Sequence, residues 1–214
     1  MLISRRQFIE RHRRQIYGDQ PSNDANMTVN LVNFWLSDAI AIAAKTNYKE
    51  NISVDGITFV NNSFYTTYKS LAVSADEQFL WKVTLPEIPI GIGENFGCET
   101  LIFKDSESNQ LSYPVVFISQ NQRSYVRGMR LIPNKLLAYL EGQFVYIQST
   151  LILSGYTAQA TMISGGDSTD LDSTLNVPPD YYPVMVEYLK QQLMFQRSVP
   201  QDVTNDGSDV ITTT

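Results

Sequence analysis

The feature that most constrains this chain is a double change of hydrophobic period. From Ser53 to Ile163 apolar and polar residues tend to alternate, the spacing at which side chains point to opposite faces of a sheet. On either side of that stretch apolar residues recur every three to four positions, the spacing of one helix face. The pattern predicts an α+β fold, with helical ends around a β-rich middle.

Within the middle, Phe79, Trp81, Val83 and Leu85 alternate with Leu80, Lys82 and Thr84, which predicts a half-buried strand that stops at Pro86, reinforced by Pro89. Residues 136–140 and 143–149 flank Glu141-Gly142 and predict a hairpin, because glycine supplies the positive φ of a tight turn. Ile57–Val60 and Phe64–Tyr68 predict a second hairpin around Asn61-Asn62, since asparagine tolerates left-handed geometry. Ser119 as cap and Gly128 as stop predict a short helix over Gln120–Arg127 that interrupts the sheet.

The ends carry different chemistry. Residues 1–17 hold five arginines and one glutamate, a net +4, which leaves 11 basic and 21 acidic residues for the remainder. Arg5, Arg6, Arg11, Arg13 and Arg14 share a Gly- and Pro-free stretch with Phe8, Ile9 and Ile16, so a helix with a narrow apolar stripe and a broad cationic surface is expected. Gly18 and Pro21 end it. A second helix is expected from Thr28 to about Lys45, and its apolar residues, Trp35 among them, spread over so much surface that it needs burial on more than one side. After a polar connector at 164–176, Pro178, Pro179 and Pro183 suit the opening turn of a last helix, and Pro200 closes it. Its stripe is Tyr182, Met185, Val186, Leu189 and Leu193. For these residues and for Tyr181 and Tyr188, a subunit contact and an internal core both fit the pattern. Residues 201–214 contain three aspartates, no basic residue and few large apolar side chains, so they cannot pack alone; Val203, Val210 and Ile211 are their candidate docking residues. The expected segments are thus 1–50 helical, 51–163 β-rich, 164–200 connector and last helix, and 201–214 tail.

The 214 residues suit one large domain or one domain with a substantial insertion, and 43% hydrophobic residues suffice for a core without disulfides. A net charge of −6 disfavours a chain that coats nucleic acid or an anionic membrane. Cys98 and His12 are the single cysteine and histidine, so zinc clusters, Cys-His dyads and Ser-His-Asp triads lack parts. The ordinary readings are a buried thiol and one more polar residue in a basic helix. No run approaches the roughly 18 apolar residues of a membrane span, and the first residues lack the apolar stretch of an export signal. Asp167, Asp170 and Asp172 fit no EF-hand spacing and read as a connector bonding its own backbone. Gly91, Gly93 and Gly97 miss the dinucleotide-loop spacing, and no second carboxylate is placed beside Glu141 for glycoside hydrolysis. The arginine helix fits a solvated face or docking onto an acidic protein better than a DNA contact.

Three stretches together resemble a known family. They are Ile16-Tyr-Gly-Asp-Gln-Pro-Ser, Asn61-Asn-Ser-Phe-Tyr-Thr-Thr-Tyr-Lys, and Ser164-Gly-Gly-Asp-Ser-Thr-Asp-Leu-Asp-Ser running into Val177-Pro-Pro-Asp-Tyr-Tyr-Pro-Val-Met-Val-Glu-Tyr-Leu-Lys-Gln-Gln-Leu. They look like the structural proteins of crAss-like bacteriophages that form rings in the head-to-tail connector. The resemblance extends over nearly the whole chain. It implies a noncatalytic virion component, assembled in the host cytoplasm as a twelvefold ring beneath the portal, in contact with the portal and adjoining ring proteins, with DNA passing through its lumen without specific binding. It also implies N- and C-terminal helices packed as a bundle with a central antiparallel β insertion, as in the wider group of phage adaptor proteins. No cofactor, metal, catalytic residue or membrane contact is expected. The alternative reading is a carbohydrate- or calcium-binding β module of a phage tail, and a hydrolase ranks third.

Overall fold

The computed structural model describes residues 3–17, 28–56, 58–92, 97–122, 135–166 and 168–198. Helix α1 spans Arg5–Tyr17, α2 spans Val29–Asp55 and α3 spans Tyr182–Ser198. The strands are β1 (Tyr65–Glu77), β2 (Leu80–Thr84), β3 (Cys98–Lys104), β4 (Val115–Phe117), β5 (Leu136–Glu141), β6 (Phe144–Gln148) and β7 (Thr157–Ile163).

The expected helical bundle with a β insertion is not the architecture. The seven strands form one sheet in the order β3-β7-β1-β2-β6-β5-β4, and the sheet curls until its two edges approach: Leu111, leading into β4, donates its amide to the Phe103 carbonyl of β3 at 2.9 Å. The result is a nearly closed barrel with its own interior, filled by residues such as Leu85, Phe103, Leu136, Ile147, Leu153 and Met162, with the small Ala138, Ala158 and Ala160 making room for the larger ones. The helices are a layer beside this barrel. All strand pairs are antiparallel except β4 with β5. The bundle was what the resemblance implied, and the period-two patterning offered no check on it, because it identifies strands without saying how many join one closed sheet.

Strand β1 makes the curl possible. Its first half pairs with β7 and its second half with β2, and between Tyr68 and Leu71 one extra residue interrupts the register. Ser70 sits there at φ 58°, and such a bulge bends a strand and increases its twist.

The second core lies between the helices and the barrel wall. Asn47 faces Tyr181 while Asp38 acts on Tyr188, so α2 and α3 run antiparallel. Val32, Leu36 and Ile40 of α2 meet Met185, Leu189 and Leu193 of α3, and Phe8 and Ile9 of α1 close the same cluster over Phe64, Ile163 and Leu175.

Several local expectations shift. Helix α2 starts one residue later than expected: Thr28 is its cap, with the hydroxyl accepting from the Leu31 amide, whereas Asp24, the expected cap, lies outside the described residues; the helix passes Lys45 and ends at Gly56, whose φ of 67° closes it through a bond to the Ile52 carbonyl. Asn47 explains part of the extension: its side chain bonds Tyr181 and the Asn61 amide, so a polar residue is buried usefully on the helix. Among the described residues no hairpin forms around Asn61-Asn62, and Ile57 of the expected first arm lies outside them. Asn61 instead caps a 3-10 turn over Asn62–Phe64 by accepting from the Ser63 amide, and β1 begins directly after it. The β5–β6 hairpin forms, with Glu141 opposite Phe144, so its turn is Gly142-Gln143 rather than Glu141-Gly142. In β2, Val83 is buried, as is Leu85 just beyond it, but Phe79 is turned outward in a left-handed conformation at φ 63° and Leu80 is buried in its place. Of the short helix expected at 120–127, a 3-10 turn covers Gln120–Gln122, and residues 123–127 lie outside the described residues.

The connector before α3 is more than a solvated loop. Ser164, Gly165 and Gly166 are buried, and at Gly165, φ 72°, a Cβ would stand 2.6 Å from Cδ1 of the buried Ile40. The later connector receives the start of the chain: the Arg5 amide donates to Ser173, the Arg6 amide to Leu171, and the Leu175 amide to Ile3.

Candidate functional site

Helix α1 and the surface it shares with α3 collect most of the residues singled out from sequence. Arg5, Phe8, Ile9, His12 and Ile16 follow helical spacing on one face, and that face is the one packed inward. Arg5 is therefore not part of the cationic surface expected of it. It is fully buried, its Nε and Nη2 donating to Asn33 Oδ1 at 3.2 and 3.1 Å and its Nη1 to the Gly165 carbonyl at 3.3 Å. Asn33 is held in turn by its donation to the Ser168 carbonyl at 2.9 Å. Arg6 is exposed and pairs with Asp172 at 2.7 Å; the hydrogen bond holds the Asp172 carboxyl below the usual carboxylate range. Arg13 meets Glu10 at 3.2 Å. Arg11 and Arg14 are exposed. The five arginines thus divide into one internal strut, two paired side chains and two cations facing solvent.

His12, by sequence one more polar residue in a basic helix, is buried, and neither ring nitrogen has a hydrogen-bond partner among the described residues. Burial, reinforced by the Lys190 charge, lowers its pKa and favours the neutral imidazole. It lies beside an open groove of about 770 Å³ between α1 and the start of α3. Ile3, Phe8, Tyr182, Pro183 and Val186 give the groove its apolar lining, Phe8 and Tyr182 meet edge to face with centroids 5.4 Å apart, and Arg11 and Lys190 supply its charge.

A second concavity, of about 810 Å³, lies on the barrel side near the end of α2, where Tyr48, Phe59 and Tyr65 gather with Glu99, Thr67 and Thr161. Tyr65 donates to Glu99 at 3.4 Å, and its phenol is pushed up to about 12 by burial and by that carboxylate. Cys98 adjoins this region, but burial and Glu99 push its thiol up to about 12 as well, so it is protonated and unreactive at neutral pH.

Residues expected to pack between subunits or within a bundle are largely occupied inside this chain: Met185, Leu189 and Leu193 are buried in the helical core, while Trp35 and Tyr182 are half-buried against it. Large apolar side chains do reach solvent elsewhere, Phe34 at 73%, Met194 at 70% and Phe195 at 68% on the helices, and Ile152 at 77% and Ile88 at 66% on the barrel side. Val203, Val210 and Ile211 lie outside the described residues, as does Asp167. Asp170 accepts from the Asp172 amide and Asp172 pairs with Arg6, so neither points at a common cation position; among the described residues no group of His, Cys, Asp and Glu is suited to hold a metal. No described helix is long and apolar enough to cross a membrane.

Comparison with protein-family models and with curated proteins found no match.

Proposed function

We propose that this chain is a noncatalytic structural subunit that assembles into a ring in a phage head-to-tail connector, with the portal and adjoining rings as its neighbours. Resemblance in the three long sequence stretches motivates the reading. The observation that supports it is that large apolar side chains reach solvent on both layers of one subunit: Phe34, Met194 and Phe195 on the helices, Ile88 and Ile152 on the barrel side. A ring is closed by a head-to-tail contact, which requires two different patches on each copy, and a standard interface needs about 800 Å² from each partner. Isolated exposed hydrophobes are ordinary, whereas several large ones on both layers fit a chain that is completed by neighbours. The acidic body suits a conduit wall that does not grip phosphate.

The test is to purify assembled virions and locate the chain by mass spectrometry and electron cryomicroscopy. The expected result is a ring on the tail axis with twelvefold symmetry; absence from the particles, or placement away from the axis, overturns the reading. The second concavity favours one alternative, a glycan-binding module, because aromatic faces beside a carboxylate and hydroxyls are the chemistry that binds sugars. A glycan array separates the two, with binding abolished by Phe59→Ala supporting the alternative.

A further inference from the structure

We propose that the groove between α1 and α3 is a peptide-docking site whose occupant is the chain's own C-terminal segment, Gln201–Thr214, folded back along α3.

The groove has a chemistry unusual for this protein. Among the described residues that line it none is acidic, and Arg11 and Lys190 stand over an apolar lining of Phe8, Tyr182 and Val186. Outside residues 1–17 the chain holds 11 basic and 21 acidic residues, so an acid-free apolar surface carrying two cations stands apart from the rest. Residues 201–214 are its complement: Asp202, Asp206 and Asp209 without a basic residue, and Val203, Val210 and Ile211 as apolar contacts. The aspartates meet the cations while the aliphatic side chains cover Phe8 and Val186.

Reach and tethering favour the segment of the same molecule. Helix α3 ends at Ser198, and the groove residues Lys190 and Val186 lie about 12 and 18 Å back along the helix at a rise of about 1.5 Å per residue. Fourteen residues extend to about 46 Å, enough to turn and cover the groove. A segment tethered so closely acts at an effective concentration in the millimolar range, so even weak docking is populated without a second copy. His12 lines the same wall, so its ring lies within reach of a probe carried by the occupant.

The single histidine makes the test direct. A nitroxide is attached to Ser208→Cys in the full chain; the native thiol at Cys98 is buried and unreactive, so labelling is selective. In a dilute sample, the His12 imidazole resonance of an isotope-labelled chain is expected to broaden strongly when the nitroxide is on the same molecule, and to stay sharp when it is on admixed unlabelled chains. Arg11→Glu with Lys190→Glu should restore a sharp signal, with the His12 shift and the circular dichroism spectrum reporting that the fold is kept. No broadening in the first sample overturns the proposal, and so does equal broadening in the mixed sample, which would assign the groove to a neighbouring copy. The inference does not depend on the ring, since all readouts are made on the free subunit.

Discussion

Replacing Arg5 by methionine is the most severe test of how the helices are joined to the barrel. Methionine retains most of the aliphatic stem, so the change removes hydrogen bonds more than volume. Two acceptors lose their donors, the buried Gly165 carbonyl and the half-buried Asn33 Oδ1, and Asn33 cannot turn its amide toward the gap without giving up its bond to Ser168. Leaving a buried polar atom unsatisfied costs about 1–3 kcal/mol and a half-buried one less, so the pair amounts to about 3 kcal/mol. For a chain of this length each kcal/mol moves Tm by about 2–4 °C, which gives a fall of about 6–12 °C. Differential scanning calorimetry reads the change, and Arg6→Met serves as the control because its ion pair is open to water. A fall under about 3 °C for Arg5→Met, or an equal fall for both variants, refutes the reasoning that Arg5 is an internal strut.

Other outcomes follow from single features. Gly165→Ala should destabilise by about 2–4 kcal/mol in urea titration, combining the left-handed strain with a clash against the buried Ile40, whereas Gly142→Ala, at φ 59° with open space around it, should cost about 1 kcal/mol. His12 has a lowered folded pKa, so its contribution is complete above its unfolded value of about 6.5 and is lost as pH falls below it. The slope for one proton is at most about 1.4 kcal/mol per pH unit, and His12→Gln should remove it from the stability profile measured between pH 7 and 5. Cys98 should resist alkylation at pH 8 in the folded protein and react within minutes in denaturant; equal rates would contradict its burial and raised pKa.

The helical ends, the β-rich middle, the β5–β6 hairpin and the proline-marked opening of α3 were legible because each is written in local spacing. Closure of the barrel was not, since it depends on β3 and β4 meeting at the far ends of a sheet whose strand order departs from chain order. The role of Arg5 shows the boundary between the two kinds of information. Its position on the stripe of Phe8, Ile9 and Ile16 was a local signal of burial, but residue type pulled it into the cationic surface, and its partners are 28 and 160 positions away. His12 lay on the same stripe and was missed for the same reason. The Asn61-Asn62 turn was legible as a turn but not as a 3-10 cap, because asparagine serves both geometries.

The seat of α1 has a consequence for biosynthesis. Ile3, Arg5 and Arg6 hydrogen-bond to Leu175, Ser173 and Leu171, so α1 cannot dock until those residues, about 160 positions later, have been synthesised. At about 5–20 residues per second, the amphipathic helix waits roughly ten to thirty seconds with Phe8 and Ile9 uncovered, long enough to recruit a holdase or to meet another nascent chain.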